Sequence, residues 1–193
     1  MAEQETSLLE YLDTPQLTCL NENPQHAFKP IVAEKRRNTG DSYILSDADE
    51  QLLLNIPFNQ TVKIRAIAIQ SSNIAQAPRK IRLVTNRPSI NFEDVEDDHS
   101  VIQEIDLSED DVREGKRIDL RFVRFQSVSS LHIFVVSNQG GGDETRIDAI
   151  DVFGMAVMCV RHVLFFQLAI ALAHSSICRG TKNVSGLRKV EDE

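Results

Sequence analysis

Between Leu52 and Phe153, apolar and polar residues alternate repeatedly with a period of two, and few folds accommodate that pattern. Val62 and Ile64 alternate with Lys63 and Arg65, and the apolar phase continues through Ile67 and Ile69. Ile81 and Leu83 flank Arg82, and Ile118, Leu120 and Phe122 alternate with Asp119 and Arg121. Successive side chains of a strand point to opposite faces, so these runs predict strands with one buried face. Val123 and Phe125 then fall on the other parity, which predicts a bulge. Residues 131–136 are apolar on both parities except at His132, as a central strand covered on both faces would be. Ile147 to Phe153 completes the set. Clusters of Pro, Gly, Asn and Ser separate the runs, and no long 3.6-residue period interrupts them. The expectation is an antiparallel all-β domain, not a βαβ fold.

With 193 residues, 41% of them apolar, the chain can bury one substantial core; two full domains would be cramped. Tryptophan is absent, so that core rests on Ile, Val, Leu and Phe. Asp and Glu outnumber Lys and Arg by 29 to 21, for a formal charge of −8. That balance disfavours nucleic acid, whose affinity for proteins comes largely from cations releasing counterions. Arg79, Lys80 and Arg82 are interleaved with apolar residues, as solvent-facing strand positions would be. The N-terminal stretch shows no apolar run of the kind that directs secretion. Leu8, Leu9, Tyr11, Leu12, Leu17 and Leu20 predict a short helix or a strap across the core, and Pro24 and Pro30 bracket an irregular stretch around Phe28. Two acidic runs, 93–98 and 109–111, predict solvated turns because like charges this dense repel each other.

Sites with reactive chemistry find little support. Cys19, Cys159 and Cys178 are widely spaced and form neither a CxxC pair nor a zinc knuckle, which points to a reducing compartment. His26, His99, His132, His162 and His174 show no HxH or HExxH spacing, and no GxSxG, Walker A or GxGxxG occurs. Gly140 to Gly142 lack the Lys and Ser/Thr that would follow in a phosphate loop. Asp47, Asp49 and Glu50 begin an alternating-carboxylate pattern, but the Gly and terminal Glu of a calcium loop do not follow; a turn at the entry to an apolar strand is the simpler reading. No catalytic residue, cofactor or metal is therefore expected. Tyr11 and Tyr43 are the only tyrosines and there is no Trp, a thin platform for stacking on a sugar.

Several short runs, in order, resemble one known family. They are Thr18-Cys-Leu-Asn-Glu22, Ser46-Asp-Ala-Asp-Glu-Gln-Leu-Leu53, Phe58-Asn-Gln-Thr-Val-Lys63, Phe125-Gln-Ser-Val128, Ile133-Phe-Val-Val-Ser-Asn-Gln139, and Thr145-Arg-Ile147 with Phe153-Gly154. The sequence resembles the PITH (proteasome-interacting thioredoxin) domain, as found in the C-terminal half of thioredoxin-like proteins. The resemblance covers some seven-tenths of the chain, from Leu17 to Gly154. It implies a jelly-roll β-sandwich of galactose-binding-like form, association with the regulatory particle of the 26S proteasome, and a place in cytoplasm and nucleus. The thioredoxin domain with its CxxC has no counterpart here, so reductase activity is not carried over. The polar loop Asn138, Gln139, Asp143, Glu144 and Arg146 matches the family. It can face the partner; equally, Asn and Gly can form the turn while Arg146 pairs with a nearby acid. The expected protein is a monomeric interaction module touching neither nucleic acid nor membrane. The alternative is a small-molecule or carbohydrate-binding jelly roll.

The expected layout is a disordered start at 1–6, the domain at 7–157 after an irregular N-terminal strap, an apolar insert at 158–179, and a flexible polar tail at 180–193. The insert is anomalous. Its uncharged run, 163–173, is eleven residues, short of the roughly 20 that a membrane-spanning helix needs. Removing 159–179 joins Met158 to Gly180 and restores family-like sequence on both sides. The codons of Met158-Cys-Val160 can contain AT|GTGCGT as a splice donor, those of Cys178-Arg179 can contain TGCAG as an acceptor, and the reading frame survives. The preferred expectation is an intron read through in the gene model or retained in an isoform. A helix lying on the sandwich and weak membrane attachment are the other readings. Transcript reads are expected to join the codons of Met158 and Gly180; reads found only in the longer form overturn the intron.

Overall fold

The computed structural model describes residues 5–96 and 100–157. The insert and tail, His99, His162 and His174, and Cys159 and Cys178 lie outside these residues. Among the described residues ten strands form: β1 (Thr6–Ser7), β2 (Thr18–Leu20), β3 (Ile44–Leu45), β4 (Leu52–Gln70), β5 (Pro78–Thr85), β6 (Gln103–Asp106), β7 (Ile118–Asp119), β8 (Val128–Asn138), β9 (Arg146–Ile147) and β10 (Ala149–Ala156). Every pairing is antiparallel. The fold is the expected all-β jelly roll.

One strand belongs to both layers of the sandwich. The first half of β4 pairs with β2 and β8, with Leu54 opposite Ile133; its second half pairs with β10 and β7, with Ile67 opposite Val152. Between the halves, the register with β8 slips at Pro57–Val62. Pro57 has no N–H to give a ladder, so a break in pairing is where a proline is tolerated. The sequence patterns around Leu52 and Ile64, interrupted by Pro57, are one continuous 19-residue strand.

Ile64 and Ile67 both reach the core although they differ in parity. A register shift opposite them, between Phe153 and Gly154 of β10, accounts for this by rotating the strand half a period. Gly154 is required at that point. A Cβ there would collide with the Lys63 carbonyl oxygen and press on Leu8 Cδ1 at 3.0 Å.

The core between the layers joins Leu52, Leu54 and Ile56 to Ile81, Leu83, Ile133, Val135, Ile150 and Val152. The N-terminal segment straps across it through 3₁₀ turns at Leu9–Tyr11 and Thr14–Gln16, with Leu8, Leu9, Leu12 and Leu17 buried. Order reaches beyond the expected boundary at residue 7. Thr6 pairs with Gly154, Glu5 forms ion pairs with Arg65 and Arg117, and Ser7 Oγ donates to buried Asp151 at 2.6 Å.

Three expectations are corrected. No bulge forms at Val123: Phe122–Phe125 is a 3₁₀ turn that buries Phe125 and leaves Val123 87% exposed. A 3₁₀ turn repeats every three residues, so Phe122 and Phe125 share a side and Val123 cannot join them. The described part of the first acidic run, in α2 (Phe92–Glu96), and the second, in α3 (Glu109–Glu114), are helical rather than simple turns. Ser108 and Asp111 cap α3 reciprocally, and three acids in its first turn favour the positive end of the helix. The stretch around Phe28 contains α1 (Phe28–Val32), whose Pro30 lies within the first turn, where its missing N–H costs nothing.

Replacing Gly154 with Ala is expected to destabilise the domain by about 1–3 kcal/mol, because neither the Lys63 backbone nor buried Leu8 can yield freely. A lowered midpoint in urea denaturation checks it.

Candidate functional site

At one end of the sandwich β8 stops at Asn138 and β9 starts at Arg146. The loop between is held by its own side chains. Asn138 Nδ2 donates to the carbonyls of Gly142 (2.7 Å) and Glu144 (2.9 Å), and Asn138 Oδ1 accepts from Gly141 N–H at 2.6 Å. Gly141 has φ of +68°, which a side chain would resist. Gln139 Nε2 donates to the Pro78 and Leu107 carbonyls, tying the loop to β5 and to the entry of α3. Arg146 pairs with Asp148 at 2.7 Å and lies over the Tyr43 ring at 3.7 Å. Burial pushes Asp148 up, but hydrogen bonds from Arg146 and Ser72 outweigh it and hold the carboxyl below its usual value.

Of the five loop residues singled out from sequence, Asn138, Gln139 and Arg146 thus use their side chains inside the fold. Asp143 and Glu144 are exposed, and Glu144 accepts from Gln76 Nε2 at 2.8 Å. Beside them runs the turn carrying Asp47 and Asp49. Thr145 connects the two loops, donating from Oγ1 to the Glu50 carbonyl and from N–H to Ser46 Oγ. Asn21, at φ of +65°, donates to Asp49 and accepts from Ala48 N–H, so this turn is also fixed. The result is a rigid rim presenting Asp47, Asp49, Asp143 and Glu144. Among the described residues, no three His, Cys, Asp or Glu gather as a metal site would need.

Thiol and ring chemistry are both suppressed here. Burial, with help from the charge of Glu22, pushes the Cys19 thiol far above its ordinary value, and a thiol held protonated is a poor nucleophile. Both faces of Tyr43 are taken, by His26 at 4.0 Å and by Arg146, so this ring offers no free platform for a sugar.

Sequence reasoning missed a second feature, on the outer face of the layer containing β2, β4, β8 and β5. Cross-strand rows run Thr18–Asn55–His132–Val84 and Leu20–Leu53–Phe134. The segment after β5 folds back over part of this face, burying Val95 and setting Phe92 edge-on to Phe134 at 5.9 Å. His132 is only 1% exposed. Its Nε2 meets Ser130 Oγ at 3.2 Å, while Nδ1 has no hydrogen-bond partner. Burial lowers its pKa to about 4, the Arg87 backbone opposing and the Arg87 charge assisting. The signal available in the sequence was the single polar residue in an otherwise apolar run.

A family model described as PITH domain matches residues 1–164. Thioredoxin-like protein 1 of Schizosaccharomyces pombe is 38% identical over 156 residues, covering 78% of this chain and 52% of that protein. The chain thus spans about half of that relative's length. PITH domain-containing protein CG6153 of Drosophila melanogaster is 36% identical over 154 residues, covering 78% of this chain and 70% of the relative. Among solved structures, the family 32 CBM from C. perfringens NanJ in complex with galactose superposes with a TM-score of 0.54 at 12% identity, covering 78% of this chain and 99% of that one. The SusE-like protein BT2857 gives 0.56 at 12% identity, covering 80% and 68%. These likenesses show the jelly-roll fold.

An unfolded His takes up its proton near pH 6.5, whereas buried His132 does so near 4. Between those values the unfolded chain binds more protons, so acidification through this window destabilises the fold, by up to about 3 kcal/mol from this residue. His132→Gln is expected to flatten that part of the stability profile relative to the parent chain; urea melts across pH 4 to 7 check it.

Proposed function

This chain belongs to the PITH domain family, and from that premise we propose that it is a non-catalytic interaction module for the regulatory particle of the 26S proteasome. What the resemblance to this family implies supports the partner class. The observation that carries contact rather than catalysis is the acidic rim. Four carboxylates stand outward on two loops whose backbones are fixed by Asn21, Asn138, Gln139 and Thr145. A prefixed loop loses little conformational freedom on docking, and an array of one sign selects a partner of the other. The complementary surface is therefore basic. The module acts as a monomer, in the cytoplasm and nucleus where proteasomes work, without nucleic acid or membrane.

The carbohydrate reading shares the fold of the galactose-bound relative in structure, but Tyr43 is covered on both faces and offers no stacking surface. A glycan array that returns a specific hit reverses this ranking.

Affinity purification from lysate, followed by mass spectrometry, is expected to recover regulatory-particle subunits with the parent chain. The double variant Asp143→Lys, Glu144→Lys should recover several-fold less, because rim charges govern association. Recovery should also fall as ionic strength rises through about 0.15 M. Absence of regulatory-particle subunits from the parent sample overturns the reading.

A further inference from the structure

The outer face around His132 holds a groove that the acidic rim does not use. Its floor is Leu53, Asn55 and His132; one bank is Thr18 and Leu20 on β2, the other Pro88 to Ile90. This hollow, about 180 Å³, shares Asn55 and Pro88 with a second of about 330 Å³ that continues past Pro57, Gln16 and Ser130. We propose that this groove binds an extended peptide segment of a partner chain, seating an aliphatic side chain among Leu20, Leu53 and Ile90 and meeting peptide polar groups with Asn55 and His132.

Shape is the first argument. Two hollows joined in line make a trough, not a bowl. Along β4 the floor runs from Leu53 to Pro57, about 13 Å at the rise of a strand, which matches about four residues of extended peptide.

Chemistry is the second. His132 Nδ1 is buried and makes no hydrogen bond of normal geometry, with only the Arg87 backbone acting on the ring; an incoming donor or acceptor would complete its pairing. Asn55 gives one amide hydrogen to Thr18 Oγ1 at 3.3 Å, leaving its amide oxygen to offer. Leu20, at 39% exposure, is one of two large apolar residues reported as exposed among the described residues, and it stands at the groove's edge. Leu20, Leu53 and Ile90 beside Thr18, Asn55 and His132 give the groove apolar and polar surface together, which suits a peptide, since a peptide carries both. A saccharide would want an open aromatic face, and the Phe58 ring lining the second hollow is almost wholly buried. An anion would want more than one cation, yet Arg87 is the one cationic residue lining the second hollow and Asp13 lines it too.

Preorganisation is the third. Asn86, at φ of +57°, begins the Pro88 bank. Its amide oxygen accepts from Ser129 N–H at 2.7 Å, its Nδ2 donates to the Ser127 carbonyl, and its N–H donates to the Ser130 carbonyl. The bank stands in place before any ligand arrives.

The test uses the purified full chain and a phage-displayed library of random octapeptides, so it does not depend on the proteasome. Selected peptides are expected to carry Leu, Ile, Val or Met at one fixed position. Their affinity, read by fluorescence anisotropy, should fall at least tenfold with Leu20→Asp and with Asn55→Ala. Leu20 is partly exposed, so its variant keeps the fold, and an unchanged urea midpoint verifies this. Binding should also shift the His132 ring nitrogen resonances in NMR. Failure to select a fixed apolar position overturns the proposal, as does equal affinity for the Leu20→Asp variant or an unmoved His132 signal. So does binding of galactose, glucose or N-acetylglucosamine that Asn55→Ala abolishes while no peptide is selected.

Discussion

Antiparallel pairing along β4 is the constraint on which the rest of the domain depends. Because one strand pairs with β8 in its first half and β10 in its second, the two layers cannot slide independently. Slippage by one residue in either layer would turn Leu54 or Ile67 outward and bring Asn55 or Ala66 into the core. The adjustments that make a single strand serve two layers are local. Pairing with β8 lapses around Pro57, and the parity change after Ile64 is matched by the register shift at Gly154. Gly154 lies against the Lys63 backbone because a bulged strand crowds its neighbour there.

Strands held this firmly let their ends carry polar loops with fixed shapes. The rim at the β8–β9 end is built from side chains that satisfy backbone groups: Asn138 closes its own loop, Gln139 reaches across to β5 and α3, and Thr145 ties the loop to the turn before β4. Each of these bonds removes a backbone polar group from the need for water. What remains facing solvent is a set of carboxylates. Amides turn inward to fix the loops, while the acids remain exposed even where, as at Asp49 and Glu144, they also accept a hydrogen bond from Asn21 or Gln76.

Much of the sandwich is legible in the sequence where the period-2 pattern is uninterrupted, as in 62–69 and 131–136, because burial of one face demands it. The continuity of β4 is not legible, since Pro57 reads as a terminator unless the partner strand is known. The turn at Phe122–Phe125 is hidden for another reason: Ile118, Leu120 and Phe122 keep the two-residue alternation, so the three-residue step from Phe122 to Phe125 reads as a slip of parity within a strand. The helices at the acidic runs are signalled by Ser108 and Asp111 in one case, a cap easily passed over beside dense charge. For the loop residues, the pattern identifies the segment but not the direction of each side chain. Asn138 and Asp143 look alike as polar loop residues; only the carbonyls of Gly142 and Glu144 distinguish them.

The groove was illegible because its walls come from four separated segments, around Thr18, Asn55, Pro88 and His132. Its origin nonetheless follows from β8. A central strand buried on both faces needs a second cover, and the segment after β5 supplies it over Phe134 and Val84 through Phe92 and Val95. That cover does not extend to β2. Leu20 at the edge stays exposed, and His132, one row along from Phe134, sits between the covered and uncovered parts. An apolar residue at 132 would complete the outer cluster more cheaply than an imidazole with an unpaired nitrogen. A polar atom kept at that cost, at the floor of an open trough, is what a site awaiting a partner group looks like.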